Sequence, residues 1–253
     1  MAQTKNTSWQ NVSKWYTKSV GQSGHYFHQH TVIPNSIRLL GLKKDSSLLD
    51  LACGQGVLAR AIDPNVEYFG LDSAPSLIQF AKESDKNPKH HFRVADVTQM
   101  LHLDKKDFSH VSIILALQNI EDPKSALKSA AMHLSKDGTL LIVLNHPMFR
   151  IPRQTSWEID PINKLQYRRI NRYYSTLKIP INANPSKGAE GPVTWTFHHP
   201  LSDYFKFLKE NNFVVTNLEE WTSDKESEGK AAKMENQARE EFPLFMAIVA
   251  KKM

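Results

Sequence analysis

The sequence predicts an α/β fold built on a seven-stranded, mostly parallel sheet with helices on both faces. Short apolar runs alternate with helical periods and predict strands over 47–51, 66–71, 92–97, 111–115 and 139–144. Continuously apolar strands are typical of a parallel sheet that is covered on both sides. A helix over 201–211 and strands over 213–218 and 244–250 predict that a reversed hairpin completes the sheet. The predicted architecture is therefore Rossmann-like, with a cap inserted before residue 201.

The helical segments follow from apolar residues at a spacing of three and four positions. This spacing predicts helices over 9–20, 33–40, 57–62, 75–84 and 123–134. The last helix has Asp122 as its N-cap, Pro123 in the first helical position and Gly138 just past its end. A charged stretch over 223–241 precedes the final strand.

These elements divide one domain into four segments. We expect a helical lid over 1–44, a cofactor-binding core over 45–147, an inserted substrate cap over 148–200 and the completion of the sheet over 201–253. The cap is predicted to be irregular, because residues 147–200 hold seven of the thirteen prolines and show no clear period. It also has eight Lys/Arg against three Asp/Glu, which accounts for most of the net charge of +6. Such a segment either attracts an anion or forms a solvated loop surface.

Composition argues against several classes of protein. The hydrophobic fraction of 40% is ample for a core, so the chain is not predicted to be disordered. No run approaches the roughly 18 apolar residues of a membrane span, and residues 1–6 lead into no apolar run, so no secretory signal is expected. The single cysteine, Cys53, favours a reducing, cytoplasmic location. No metal site is expected, because His28 and His30 have no carboxylate or cysteine nearby to complete one.

The most informative segment is 48–59, where an apolar strand passes through a turn into a helical pattern. Gly54 and Gly56 allow a ligand to approach the backbone closely beside a helix N-terminus. Asp72 ends the next strand, where an acid can accept both hydroxyls of a ribose. A nicotinamide dinucleotide would use the same parts. Asp50 and Asp96 favour a sulfonium nucleoside instead, because they can orient the cradle of a cationic methionine and accept the adenine amino group.

Four segments together resemble successive motifs of the class I S-adenosylmethionine-dependent methyltransferases. They are 49–56, 70–72, 95–97 and 138–140. The resemblance is greatest to the small-molecule group that includes the ubiquinone/menaquinone-biosynthesis type, and it covers 45–147 well and 201–253 loosely. It departs at Ala52, where the family usually has glycine. We expect the added methyl group to tighten the cradle without abolishing binding.

The resemblance implies an enzyme that binds S-adenosylmethionine and releases S-adenosylhomocysteine. The cofactor contacts that it implies are Asp50, Ala52, Cys53, Gly54 and Gly56 at the methionine end, Asp72 and Ser73 at the ribose, Asp96 and Val97 at the adenine, Leu115 at the sulfonium, and Tyr16 and His25 from the lid.

The acceptor site is expected where the fourth and fifth strands end. His146 follows the fifth strand and is predicted to be a base or substrate contact, while Gln118 and Asn119 follow the fourth strand as polar catalytic contacts. In the cap, arginine forks beside an aromatic ring suit an anionic or aromatic acceptor. The predicted substrate contacts there are Arg150, Arg153, Trp157, His198 and His199.

Three alternatives remain at this stage. The basic cap and a pI near 9.2 fit a nucleic-acid methyltransferase, although 115–118 lack an Asn/Asp-Pro-Pro-aromatic clamp and the only cysteine lies in the glycine turn. A dehydrogenase would share the glycine turn, and a non-catalytic module would keep the cofactor site without turnover. The sequence leaves open the acceptor, the methylated atom, the use of a base and the oligomeric state.

Overall fold

The computed structural model describes residues 9–182 and 191–253. The expectations for the first residues of the lid and for 183–190 of the cap lie outside this range. The described helices are α1 Ser13–Val20, α2 Ile33–Leu40, α3 Pro75–Ser84, α4 Pro123–His133, α5 Leu201–Glu210 and α6 Ala232–Glu241. The described strands are β1 Ser47–Leu51, β2 Glu67–Asp72, β3 His90–Val94, β4 Phe108–Ile114, β5 Leu134–Asn145, β6 Thr155–Asp160, β7 Leu165–Ile170, β8 Leu177–Asn182, β9 Val193–His198, β10 Phe213–Trp221 and β11 Phe245–Lys252.

Seven strands form one sheet in the order β10-β11-β5-β4-β1-β2-β3. The pairs from β3 across to β5 are parallel, and β11 runs antiparallel to both β5 and β10. The predicted sheet and its reversed carboxyl-terminal hairpin are confirmed. The chain moves outward from β1 to β3 and then returns to β4 on the other side of β1. This reversal opens a crevice at the carboxyl ends of β1 and β4, where ligands bind in open α/β sheets.

Helices cover both faces of the sheet, because its central strands are apolar on each side. In β1, the side chains of Leu48 and Leu49 are fully buried but belong to different core layers. Residues of α4 and α5 pack in the layer of Leu49, and residues of α2 and α3 pack in the layer of Leu48. Burial of each such leucine stabilises the fold by about 1.5–3 kcal/mol, which holds the ends of the parallel strands in fixed positions.

Two local predictions about the core were wrong. Residues 57–62 form successive turns instead of an α-helix, because the positive φ angles of Gly54 and Gly56 disrupt the entry of the chain into this segment. The apolar side chains nevertheless face the core as the period predicted. Gly138 does not cap α4, because β5 already begins at Leu134. A Cβ at Gly138 would lie 2.6 Å from the Leu134 side chain, so this glycine is required by close packing.

The cap is regular, contrary to the prediction from its prolines. It contains two antiparallel hairpins, β6–β7 and β8–β9. The two-residue alternation of Trp157 with Ile159, and of Leu165 with Tyr167, is the strand signal that the prolines obscured. Among the described helices, none is both long and apolar enough to cross a membrane.

Candidate active site

A cavity of about 1280 Å³ lies at the carboxyl edge of the sheet. Single ligand pockets usually have about 300–1000 Å³, so this space can hold a cofactor and a second molecule together. It brings together many of the predicted site residues, namely Tyr16, His25, Asp50, Ala52, Cys53, Gly54, Asp72, Ser73, Asp96, Val97, Leu115, Gln118, Asn119 and Arg150.

Asp50 forms the floor of the cavity at the end of β1. Its side chain is 3% exposed, and its two carboxylate oxygens accept hydrogen bonds of 2.7 Å from the hydroxyls of Tyr68 and Ser112. Burial raises the pKa of Asp50 to about 6, and the two hydrogen bonds limit this rise. A buried acid with both oxygens held by neighbouring strands is fixed in position, so it can orient the turn that follows it.

The turn after β1 has an unusual backbone. Ala52 has a φ of 59° and Gly54 a φ of 57°, both in the left-handed region. Glycine adopts this region freely, whereas an alanine there costs about 1–2 kcal/mol. The expectation that Ala52 only tightens the cradle was therefore incomplete, because its backbone is strained as well. Gly56 does not line the cavity; a Cβ there would lie 2.8 Å from the Phe92 ring, so this glycine serves packing.

Asp72 ends β2 beside the turn and is 8% exposed. One carboxylate oxygen accepts the N–H of Gly54 at 2.9 Å, and the other accepts the N–H of Ala74 at 2.8 Å. Burial raises the pKa of Asp72, while these two backbone hydrogen bonds lower it. Each oxygen retains a free lone pair beside the cavity. Asp72 can therefore accept two further hydrogen bonds, as a ribose with adjacent hydroxyls requires.

The far end of the cavity lies beyond β3. Asp96 is exposed there, and one of its oxygens accepts hydrogen bonds from the backbone and the hydroxyl of Thr98. Val97 lines the cavity and also packs in the core, while Ser73 is exposed at the end of β2. β3 itself ends at Val94, earlier than the sequence predicted.

Residues from the amino-terminal segment cover the turn after β1. The Tyr16 hydroxyl would lie 3.6 Å from a Cβ at Gly54, and burial raises the pKa of Tyr16, so its hydroxyl stays protonated. His28 also lines the cavity, which the sequence reasoning missed although it lies in a Gly/His-rich stretch. Its Nδ1 has no hydrogen-bond partner among the described residues, and burial lowers its pKa to about 4. His28 is therefore a neutral imidazole at pH 7.

The end of β4 carries two amide side chains. Leu115 has a φ of 52°, and its carbonyl accepts hydrogen bonds from Gln118 Nε2 at 2.9 Å and Asn119 Nδ2 at 3.3 Å. The Oε1 atom of Gln118 is buried and has no partner in the described part of the chain. Asn119 Oδ1 accepts the hydroxyl of Thr196 at 2.9 Å. Thr196 belongs to β9, so Asn119 ties the cap to the sheet.

The structure does not place His146 as the sequence predicted. The residue is 4% exposed and is absent from the cavity lining. Its Nδ1 accepts the backbone N–H groups of Met148 and Phe149, and its Nε2 donates to Glu220 at 2.6 Å. Both ring nitrogens are thus committed to the turn after β5 and to β10. This geometry does not bring His146 to the cavity, and its role as a base or substrate contact stays a prediction.

Arg150 is the predicted cap residue that reaches the cavity. Its Nη1 donates to Asn145 Oδ1 at 2.8 Å, and its guanidinium carbon lies 5.2 Å from the centre of the Phe245 ring. The sequence reasoning missed Asn145 and Phe245, although both follow from the strand order, since β5 and β11 are neighbours in the sheet.

The other predicted cap contacts do not line the cavity. Arg153 is exposed in a turn with a φ of 62°, and Trp157 packs against Arg168 and Phe242. His198 Nε2 donates to the Tyr173 carbonyl at 2.7 Å. His199 lies 3.4 Å from a carboxylate oxygen of Asp203. Trp157, His198 and His199 are thus held by neighbours outside the cavity, and the role of all four residues as substrate contacts stays a prediction.

The residues present fit S-adenosylmethionine. Asp72 is buried and its oxygens can still accept hydrogen bonds. The turn over 52–54 lines the cavity, and no Lys or Arg of the cavity lining follows β1, β2 or β3. A site for a dinucleotide pyrophosphate would gain from such cations, whereas a cationic sulfonium would not. Among residues 9–182 and 191–253, no group of three or more His, Cys, Asp or Glu side chains is arranged to hold a metal ion.

Comparison with known proteins agrees with the fold and the site. A family model described as a methyltransferase domain matches residues 49–142. A demethylmenaquinone methyltransferase of Staphylococcus carnosus is 30% identical over 187 residues, which cover 72% of this chain and 73% of that protein. A solved S-adenosylmethionine-dependent methyltransferase from Mesorhizobium loti has a TM-score of 0.65 at 21% identity, covering 86% of this chain and 96% of that one. A putative one from Listeria monocytogenes has a TM-score of 0.66 at 20% identity, covering 87% and 98%.

The two solved structures show the fold, and the sequence matches show the family. Together with the cavity, they define an enzyme that takes a methyl group from S-adenosylmethionine and transfers it to a small molecule. The chain belongs to the class I S-adenosylmethionine-dependent methyltransferases, in the group that includes the ubiquinone/menaquinone-biosynthesis type. These matches do not favour either a nucleic-acid methyltransferase or a non-catalytic module.

Proposed function

We propose that the acceptor is a hydroxylated aromatic ring of the quinol type, which is methylated on a ring carbon. The supporting observation is the 187-residue similarity to a demethylmenaquinone methyltransferase. The lining of the cavity is consistent with such a ring, because Phe27, Ile33 and Phe245 supply an apolar wall. Phe27 and Phe245 pack edge to face, with ring centres 5.6 Å apart.

The cofactor contacts are part of the same proposal. Asp72 holds the ribose hydroxyls, with Ser73 beside it, while Asp96 and Val97 frame the adenine. Asp50 fixes the turn of Ala52, Cys53 and Gly54 against the methionine end, and Leu115 lies under the sulfonium. Tyr16 and His25 close over the cofactor from the lid. The support for these roles is the shared cavity that the residues line.

When bound, the cofactor supplies an electrophilic methyl group on a positively charged sulfur. The protein has to align the acceptor with this methyl group and exclude water. In this proposal, Gln118 Oε1 accepts a hydrogen bond from the acceptor hydroxyl, because it is buried and has no partner among the described residues. Asn119, held by Thr196 of β9, sets the position of the cap over the acceptor.

We also propose that the enzyme is cytoplasmic and that nucleic acid is not its methyl acceptor. A single cysteine fits a reducing compartment. The basic residues of β7 support a non-nucleic-acid role, since Arg168 is engaged by Trp157 and by the Phe149 carbonyl, and Arg169 pairs with Glu158.

The direct test is methyl transfer from methyl-labelled S-adenosylmethionine to 1,4-naphthoquinol under anaerobic conditions, with product mapping by mass spectrometry and NMR. We expect a ring C-methyl product from the wild-type protein and little product from the Asp72→Asn variant. O-methylation would contradict the quinol C-methylation proposal. Transfer to RNA, with an affinity that falls steeply with salt, would contradict the small-ring acceptor.

A further inference from the structure

The strand order separates the acceptor end of the cavity from the cofactor end. The predicted cofactor residues of the sheet lie at or after the ends of β1, β2 and β3, with Leu115 after β4, while Tyr16 and His25 come from the lid. Arg150 follows β5, on the far side of β4 from β1. Neighbouring strands lie about 4.8 Å apart, so the ends of β1 and β5 are separated by roughly 10 Å. Arg150 therefore lies beyond the place proposed for the sulfonium.

Arg150 is the only Lys or Arg among the described residues that line the cavity. Its Nη1 is oriented by Asn145, and one face of the guanidinium lies against Phe245. Within the described part of the chain, no other N–H of this guanidinium has a hydrogen-bond partner, and no carboxylate forms an ion pair with it. The group is thus positioned by neutral neighbours and keeps its remaining donors.

The acids that line the cavity are already engaged elsewhere. Asp50 is held by Tyr68 and Ser112, and Asp72 is held by backbone N–H groups. Asp96 accepts a hydrogen bond from Thr98, Glu121 pairs with Lys178, and Asp122 accepts a hydrogen bond from Ser125. Among the described residues, no acid of the cavity lining therefore pairs with the Arg150 guanidinium.

The surroundings of Arg150 are also positive. Burial lowers the pKa of Arg150, and the charge of Arg168 lowers it further. Burial likewise lowers the pKa of His25, and the positive charges of Arg150 and Lys225 lower it further. Arg150 is only partly exposed and has no counter-ion among the described residues, so a ligand anion at this place would be attracted.

We infer that Arg150 binds a carboxylate of the methyl acceptor, so that the preferred substrate is an aromatic carboxylate. A carboxylate matches the planar donor fork of one guanidinium in charge and geometry. The inference rests on the proposed function, since it concerns the acceptor end of the same site. It adds an anionic group that a neutral quinol does not have.

The test measures binding to the complex with S-adenosylhomocysteine by calorimetry. The two probes are 1-hydroxy-2-naphthoate and 1-naphthol, which differ by the carboxylate. We expect the carboxylate to bind about ten to a hundred times more tightly than the neutral probe, and Arg150→Met to remove this preference. Arg150→Lys keeps the charge without the fork and should retain part of it. Arg169→Met is the matched control, because Arg169 is 59% exposed and outside the cavity lining.

The measurements separate this inference from the proposed cofactor site. Unchanged affinity of Arg150→Met for S-adenosylhomocysteine, together with loss of carboxylate preference, supports the inference. Equal affinity of the wild-type protein for both probes, or no binding of the carboxylate at millimolar concentration, overturns it. An equal loss of S-adenosylhomocysteine affinity in Arg150→Met would instead assign Arg150 to the cofactor carboxylate. Failure of the wild-type protein to bind S-adenosylhomocysteine would contradict the proposed cofactor contacts.

Discussion

Replacement of Asp72 by asparagine tests the ribose contact with little change in shape. In the wild-type protein, each carboxylate oxygen accepts one backbone N–H and keeps a lone pair at the cavity. Asparagine has one oxygen, so its NH₂ group would face either the Gly54 or the Ala74 N–H and could accept nothing from the ribose. The variant loses one of the two hydrogen bonds to the ribose, and the hydrogen bond that remains has a neutral acceptor instead of a charged one. Hydrogen bonds to charged groups contribute about 1.5–3 kcal/mol each, so we expect a loss of at least about 2 kcal/mol.

This loss corresponds to an increase of about thirtyfold in the dissociation constant of S-adenosylhomocysteine. Isothermal titration calorimetry measures it directly, and circular dichroism with thermal unfolding shows whether the variant is folded. Asp63→Asn is the matched control, because Asp63 is exposed and, within the described part of the chain, its side chain hydrogen-bonds only to Asn65. A folded Asp72→Asn protein whose dissociation constant stays within a factor of about three of the wild type, a difference below about 1 kcal/mol, would refute the ribose assignment.

Three further predictions concern stability. Ala52→Gly should stabilise the protein by up to about 1 kcal/mol in urea unfolding, because relief of left-handed strain worth about 1–2 kcal/mol exceeds the added unfolded-state entropy of about 0.4–1 kcal/mol. His146→Ala should destabilise it by about 1–3 kcal/mol in the same assay, since the partly buried N–H groups of Met148 and Phe149 lose their acceptor, while affinity for S-adenosylhomocysteine is unchanged. His28 has a folded pKa of about 4 against a usual 6.5, so its contribution to stability is complete above about pH 6.5 and is lost as the pH falls toward 4. Between about pH 7 and pH 4.5, the wild-type protein should lose about 2–3 kcal/mol more than His28→Gln in urea unfolding.

Each of these predictions has an outcome that contradicts it. A lower midpoint for Ala52→Gly would mean that the alanine methyl group packs favourably enough to offset its strain, and Ala61→Gly in the following turns is a suitable comparison. For His146→Ala, unchanged stability with a fall in turnover would restore the catalytic role that the geometry argues against. For His28→Gln, a pH profile parallel to that of the wild type would show that His28 titrates normally in the folded protein.

The parallel core could be predicted from the sequence because its strands are short, continuously apolar runs. β1 matches its prediction residue for residue, and α2 and α3 match theirs. The half of the cavity proposed to hold the cofactor was predictable for a related reason. Asp50, Asp72 and the glycine turn occupy strand ends, and the carboxyl ends of parallel strands meet at one edge.

The acceptor half was less predictable, because it depends on contacts between distant segments. His146 follows a strand as an active-site residue would, but the partner that holds it, Glu220, is 74 positions away. Arg150 and Arg153 look alike in sequence, and only the left-handed backbone of Arg153 and the register of β5 against β11 separate them. The strain at Ala52 was missed because a φ angle cannot be read from the identity of an alanine.

The insertion of two hairpins between β5 and α5 has a consequence for the evolution of this enzyme. The hairpin β8–β9 contacts the mouth of the cavity through Thr196 and Lys178, whereas the groups proposed to hold the nucleoside belong to the sheet and the lid. This hairpin wall of the cavity is therefore physically separate from the groups proposed to hold the methyl donor. Mutations in the hairpins can reshape the mouth of the cavity while the residues proposed to hold the nucleoside stay unchanged.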